Sequence, residues 1–213
     1  DADGDLFRQK YGIALKRPML LYVGRVAHEK NIGFLLEVAQ KLIQKTPEVL
    51  LVITGEGPAE ASLHAQVKTL GIEKNVQFIG YLDRNTELNA CYKSADVFVF
   101  ASKSETQGLV LLEAMAQGTP VVAIAELGTA SILIEGQGAK IATENAPEFA
   151  DKIHSLLLQP KTRKALGEAG QQYAITQWSA SAKAEHMVNF YQDLIRHTKS
   201  NKTSVPLHLQ AKA

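Results

Sequence analysis

Short apolar runs alternate with helix-length stretches along most of this 213-residue chain. Pro18–Val23 (PMLLYV) is apolar throughout, and Val49–Ile53, Val76–Ile79, Ala95–Phe100 and Pro120–Ile124 (PVVAI) are short runs rich in β-branched and aromatic residues. Such runs read as strands buried on both faces. Ala139–Ala142 is a sixth candidate. Between the first two runs, Leu35, Leu36, Val38, Ala39, Leu42 and Ile43 form one broad helical stripe, with Asn31 as the expected cap and Pro47 as the stop. Strands and helices alternating at this spacing predict an α/β fold, a doubly wound parallel sheet of about six strands covered on both faces.

Further helices are predicted from Pro58 to about Leu70, from a cap at Asp83 or Asn85 through Ser94, and over the LVLLEAMA run that follows Gly108. Pro147–Leu158, Pro160–Tyr173 and Trp178–His197 complete the set, with short turns of helix near Leu6–Tyr11 and Thr129–Ile134. Residues 199–213 carry no periodicity and read as a flexible tail.

The chemistry concentrates in Ser104–Ala116, SETQGLVLLEAMA, which sets Glu105 in a loop and Glu113 inside an apolar helix. That loop follows a strand, at the carboxyl edge where open α/β sheets bind ligands. The free amides near Gly108 suit an anion or a ring of hydroxyls. Burying an unpaired carboxylate is expensive, so Glu113 is expected to face hydrogen-bond donors, a ribose diol being one such partner. Gly24 and Arg25, followed by Lys30, place two cations just past the first strand. At about 4 Å and an effective dielectric near 20, each would gain roughly 4 kcal/mol from a phosphate before desolvation. Two such residues suit a diphosphate, which Arg grips bidentately.

Bulk properties narrow the classes. A formal charge of +1 provides no basic field for nucleic acid. The single cysteine, Cys91, excludes an intrachain disulfide, fits a reducing compartment and reads as helix core. No apolar run approaches the roughly 18–20 residues that span a bilayer, and no secretory signal pattern is present. The first turn, GRVAHEK, is basic where a nicotinamide-dinucleotide site needs G-x-G-x-x-G, and Glu56 is too far along to be its ribose acid.

In E-x7-E spacing within SETQGLVLLEAMAQGTPVV, Glu105 and Glu113 resemble the signature of retaining glycosyltransferases of the two-domain GT-B architecture, the large group-1 or family-4 set. The resemblance covers roughly residues 18–195. It implies a Rossmann-like domain, one half of a GT-B enzyme, that binds a nucleoside-diphosphate sugar (UDP- or GDP-sugar) as donor and needs no metal or other cofactor. Arg25 and Lys30 match the GR…K residues that neutralise the diphosphate leaving group. Glu113 matches the residue that binds the ribose hydroxyls, and Glu105 the one that touches the transferred sugar and has been considered for stabilising an oxocarbenium-like centre. The same likeness assigns donor contacts to Thr106 and backbone amides to Gly108, Leu109 and Val110. It sets Gly57, in Gly55–Pro58, under the nucleotide, and puts Tyr81 and Leu82 in the segment that reads the base. His28, between the two cations, reads as a bystander. After the fifth strand relatives have two adjacent glycines and a Pro-Glu pair, whereas this chain has Ala125-Glu126-Leu127-Gly128-Thr129-Ala130-Ser131-Ile132. Donor contacts from that loop therefore do not transfer, although Gly128 still permits close backbone approach.

The chain begins at Asp1, and DADGD resembles the end of an interdomain loop. The expected division is a linker remnant over 1–17, the nucleotide-sugar domain over 18–177, a crossover helix over 178–198 and the tail. Met187, Val188, Phe190, Tyr191, Leu194 and Ile195 of that helix need a surface to cover them. The implied partner is an acceptor-binding amino-terminal domain of the same enzyme, outside this chain, without which transfer is not completed. No nucleic acid is implied, any membrane association would come through the other half, and a cytoplasmic location is expected, the full-length enzyme having the membrane's inner face open to it. A non-catalytic nucleotide-sugar-binding module and a GT-B-like sugar-nucleotide epimerase are the alternatives.

Overall fold

The computed structural model describes residues 3–203, with side chains as far as Arg196. The chain divides between Ala174 and Ile175 into two compact units. The first is built on six strands: β1 (Met19–Val23), β2 (Leu50–Thr54), β3 (Val76–Gly80), β4 (Val97–Phe100), β5 (Val121–Ile124) and β6 (Ala139–Ala142). All pair in parallel, in the order β3-β2-β1-β4-β5-β6. The expected six-stranded doubly wound sheet is therefore present. Its winding reverses between β1 and β4, and a crevice opens there beyond the strands' carboxyl ends.

Among the described residues of this unit there are seven α-helices: α1 (Gly4–Lys10), α2 (Ile32–Ile43), α3 (Glu60–Leu70), α4 (Leu88–Ser94), α5 (Leu109–Ala116), α6 (Ala146–Leu158) and α7 (Pro160–Tyr173). The apolar runs explain the layering. Every residue of β1, β2, β4 and β5 is buried, so neither sheet face can meet water. The α2 stripe packs on α3 and α6, while α4 packs on α1 and α5, and α5 on α7. At the sheet edge β3 contains Gln77 and is only half-buried.

Several local expectations are corrected. Asn31 sits at the start of α2 with φ 55°, but its side chain does not cap the helix. A 3-10 turn (His28–Lys30) runs straight into α2, and the Asn31 amide instead donates to Glu144 Oε1 at 2.9 Å. Asp83 does not start α4 either; its carboxylate accepts from the amides of Asn85 and Thr86, both at 3.0 Å, in a tight turn, and the helix begins five residues later. The short helix near Thr129 is a 3-10 turn at Leu127–Ser131, entered through a bond from the Glu126 amide to Thr129 Oγ1.

Residues 3–17, expected as linker, pack into the first unit. Asp3 caps α1, Phe7 and Ile13 are buried, and α1 lies on α4. A π-helical turn (Ala174–Trp178) begins at the last residue of the first unit, and α8 (Ala180–Thr203) follows in the second. Lys183 Nζ stands 3.7 Å over the Trp178 ring. Met187, Val188, Phe190, Tyr191, Leu194 and Ile195 are each about half exposed. The first residues of the expected tail belong to α8, and 204–213 lie outside the described residues.

Candidate functional site

The loops leave the carboxyl edge side by side, and those after β1 and β2 touch backbone to backbone. A Cβ on Gly55 would lie 2.0 Å from the Gly24 carbonyl oxygen, and one on Gly57 would lie 2.3 Å from that of Val26. No other residue type fits, which is why this turn reads Gly-Glu-Gly-Pro. The contact is sealed by Val26 N donating to Glu56 O and Ala59 N to Val26 O, both at 3.0 Å. Above it opens a cavity of about 340 Å³ whose walls include Gly24, Arg25, Glu56, Tyr81, Leu82, Arg84 and Val110. Arg25 is exposed there and has no carboxylate partner among the described residues.

Lys30 and Glu105 form an ion pair of 2.9 Å, each side chain about four-fifths buried. Burial alone would push the Glu105 pKa up. The Lys30 ammonium and the amides of Gly108 and Gln107 outweigh it and hold the carboxyl below its ordinary range. The Gly108 amide, expected to be free for a ligand, is thus already engaged by Glu105 Oε1 at 3.3 Å. Gly108 itself has φ 63° as it turns the chain into α5. From the other side Gly128 N donates to Glu105 O at 3.0 Å. A Cβ at Gly128 would come within 2.1 Å of Thr106 O, so the close approach this glycine permits is to the loop after β4.

Glu113 points at donors, as burial requires. The Tyr92 hydroxyl donates to Oε2 at 2.8 Å and Arg84 Nη1 to Oε1 at 2.6 Å. Burial first, and then the Glu113 charge, push the Tyr92 phenol far above its ordinary pKa, so it remains a donor.

The structure therefore brings Gly24, Arg25, Tyr81, Leu82 and Val110 around one cavity. Glu113 meets that cavity through Arg84, which lines it. Lys30 and Glu105 hold each other, and are joined to this edge by the 3-10 turn after Arg25 and by the start of α5. Gly57 acts beneath the cavity through backbone packing. Thr106 is exposed, with its carbonyl against Gly128, and Leu109 is exposed at the first position of α5. Sequence reading missed Arg84 and Tyr92. The signal that picked out Arg25, a cation in a loop past a strand's carboxyl end, applies equally to Arg84 after β3. Nothing in the sequence distinguishes Tyr92 from an ordinary core aromatic.

A doubly wound sheet with basic loops and a carboxylate-bearing helix at its carboxyl edge is the arrangement expected of a GT-B domain, and likeness to known proteins places the chain in that class. The chain belongs to the family Glycosyl transferases group 1, whose sequence profile matches residues 3–173. The alpha-D-kanosaminyltransferase of Streptomyces kanamyceticus is 28% identical over 188 residues, a span of 88% of this chain and 48% of that enzyme. Among solved structures, the C-terminal domain of a group 1 glycosyl transferase (LpcC) from Francisella tularensis superposes with a TM-score of 0.74 at 25% identity, covering 84% of this chain and 95% of that one. Anabaena HepE, solved in complex with UDP, gives a TM-score of 0.76 at 20% identity, covering 90% of this chain and 55% of HepE. The chain spans about half the length of the curated relatives it matches.

Proposed function

We propose that this chain is the donor-binding half of a retaining glycosyltransferase, holding a nucleoside-diphosphate sugar for transfer to a hydroxyl acceptor. The observation that carries the reading is the switch-point cavity, with unpaired Arg25 on its wall and Glu113 reached through its rim. Arg25 and Lys30 take the negative charge that develops as the bond from the anomeric carbon to the diphosphate oxygen breaks and the electron pair leaves with the diphosphate. Glu113 accepts from the ribose hydroxyls, and Glu105 faces the transferred sugar. The acceptor oxygen passes its proton to the departing diphosphate oxygen and forms the new bond on the same face. The Arg25 guanidinium, unpaired among the described residues, supplies the charge neutralisation that a divalent ion supplies elsewhere, and Lys30 adds to it as its pair with Glu105 opens to the donor, so the reading is metal-independent. The acceptor site belongs to an additional amino-terminal domain, and this half alone is expected to bind donor without completing transfer. That HepE was solved with UDP, and that the chain covers about half of its relatives, both support this assignment.

Calorimetric titration with UDP and GDP, in EDTA, tests it. One of the two is expected to bind, and Glu113→Ala to abolish measurable binding. No binding of either by the unaltered chain would overturn the donor reading; binding only with added magnesium would overturn metal independence.

A further inference from the structure

We propose that Arg84 is a latch on the ribose subsite: its guanidinium occupies the Glu113 carboxylate in the free protein and is displaced by the diol of the incoming nucleotide. The inference rests on the donor reading above and adds to it a residue that competes with the diol.

Glu113 has two oxygens, and they are engaged unequally. Tyr92 holds Oε2 from inside the fold, and its side chain is fully buried, so that bond belongs to the core. Arg84 holds Oε1 from the solvent side, on a side chain 65% exposed. Arg84 comes from the turn set by Asp83, before α4, and lies on the wall of the same cavity as Gly24, Arg25 and Val110. A ligand that places two hydroxyls on Glu113 from the cavity must approach on the side of Oε1. Arg84 stands at that oxygen at 2.6 Å, within full hydrogen-bond contact. The guanidinium has no second acceptor among the described residues to hold it there. With the Arg84 side chain 65% exposed the pair is reached by solvent on one side, although the Glu113 side chain is 23% exposed. A pair so screened is worth about 0.2–1 kcal/mol, so the latch can open for a diol that offers two bonds in exchange.

A nucleotide without the diol has nothing to exchange and leaves the latch closed. Arg84 therefore lowers affinity for ribonucleotides, while its positive charge acts alike on any diphosphate. Comparing a ribonucleotide with its 2′,3′-dideoxy form separates the two effects. The charge contribution cancels in the ratio of dissociation constants, and only the diol's competition with Arg84 remains.

The experiment measures Kd for UDP and 2′,3′-dideoxy-UDP, or the guanosine pair if GDP is the tighter ligand, with the unaltered chain, Arg84→Ala and Arg84→Met. The methionine variant keeps the apolar stem along the cavity wall and removes the donor, and thermal melting checks that both variants fold. The dideoxy-to-ribo ratio is expected to rise about two- to fivefold in both variants. An unchanged ratio would overturn the latch while leaving the donor reading intact. A falling ratio would overturn it too, by showing that Arg84 contacts the diol directly. Failure of every nucleotide to bind the unaltered chain would remove the donor reading and the latch together.

Discussion

Glu113 carries two demands at once, because one carboxylate oxygen holds a buried phenol and the other holds Arg84, which lines the cavity. Removing it leaves the Tyr92 hydroxyl buried without its acceptor, which costs about 1–3 kcal/mol. Glu113→Ala is thus expected to lower both the melting temperature and nucleotide affinity, and by itself does not separate the roles. Glu113→Gln does. Its amide oxygen still accepts from Tyr92, while its NH2 group presents donors where a diol also donates. Stability should hold within about 1 kcal/mol of the parent while UDP or GDP affinity falls at least about tenfold, since hydrogen bonds to a charged group are worth about 1.5–3 kcal/mol. Parallel calorimetry and thermal melting of the two variants check this. Glu105 offers a prediction in pH. Its folded pKa lies below the ordinary 4.5, so the Lys30–Glu105 pair contributes stability that is fully present above that value and is lost as pH falls through the lower folded one. An NMR titration should find the Glu105 carboxyl midpoint below 4.5, and Lys30→Met should raise it. Arg25, unlike Lys30, has no carboxylate to answer, so Arg25→Ala should weaken UDP much more than uridine; equal losses would take it out of the phosphate role.

At the scale of elements, the glycines at loop crossings control the site more than the side chains around them. Gly57→Ala drives a methyl to 2.3 Å from the Val26 carbonyl oxygen, a backbone atom that cannot swing away. The GEGP turn and the β1 turn must separate, a change expected to cost about 1–3 kcal/mol, with nucleotide affinity falling although no cavity-lining side chain has changed. Urea denaturation and calorimetry on one variant read both effects. This also marks what the sequence discloses. Strands appear in it because a two-sided apolar run has one physical meaning, and all six fall within two residues of the expected bounds. Helix starts disclose less. Asn31 and Asp83 are good caps by type, but each side chain found a competing bond, to Glu144 and to the Asn85–Thr86 amides, that local sequence does not encode. The site divides the same way. Glu105, Arg25 and the glycines are legible from residue type and strand position, whereas Tyr92 and Arg84 gain their meaning only once α4 and the loop before it are folded against α5.

At the scale of the whole first unit, one carboxylate joins pieces far apart in the chain. Asp96, just before β4, accepts from the Met19 amide at 2.9 Å and from Arg8 Nη2 at 3.2 Å, and forms an ion pair with Arg163 Nη2 at 2.9 Å. That single residue links α1, the start of β1 and α7. Arg8 is the buried member, 5% exposed, and it also donates to the carbonyls of Ser94 at 2.8 Å and Arg17 at 2.7 Å. A planar guanidinium reaches these acceptors together, and a lysine's point charge does not. Arg8→Ala would leave the carbonyls of Ser94, Ala14, Leu15 and Arg17 and one oxygen of Asp96 without this donor in a largely buried setting, with a cost of about 3 kcal/mol. For a unit of this size that is a fall of roughly 6–12 °C in melting temperature. Arg8→Lys should recover little of it. Nucleotide affinity at 25 °C should be unchanged in both, because Asp96 lies at the amino-terminal edge of the sheet and the cavity at the other. Melting curves with and without bound nucleotide check both halves. If Arg8→Ala left the melting temperature intact, residues 3–17 would be a removable extension; the expected fall makes them part of the fold that holds the site.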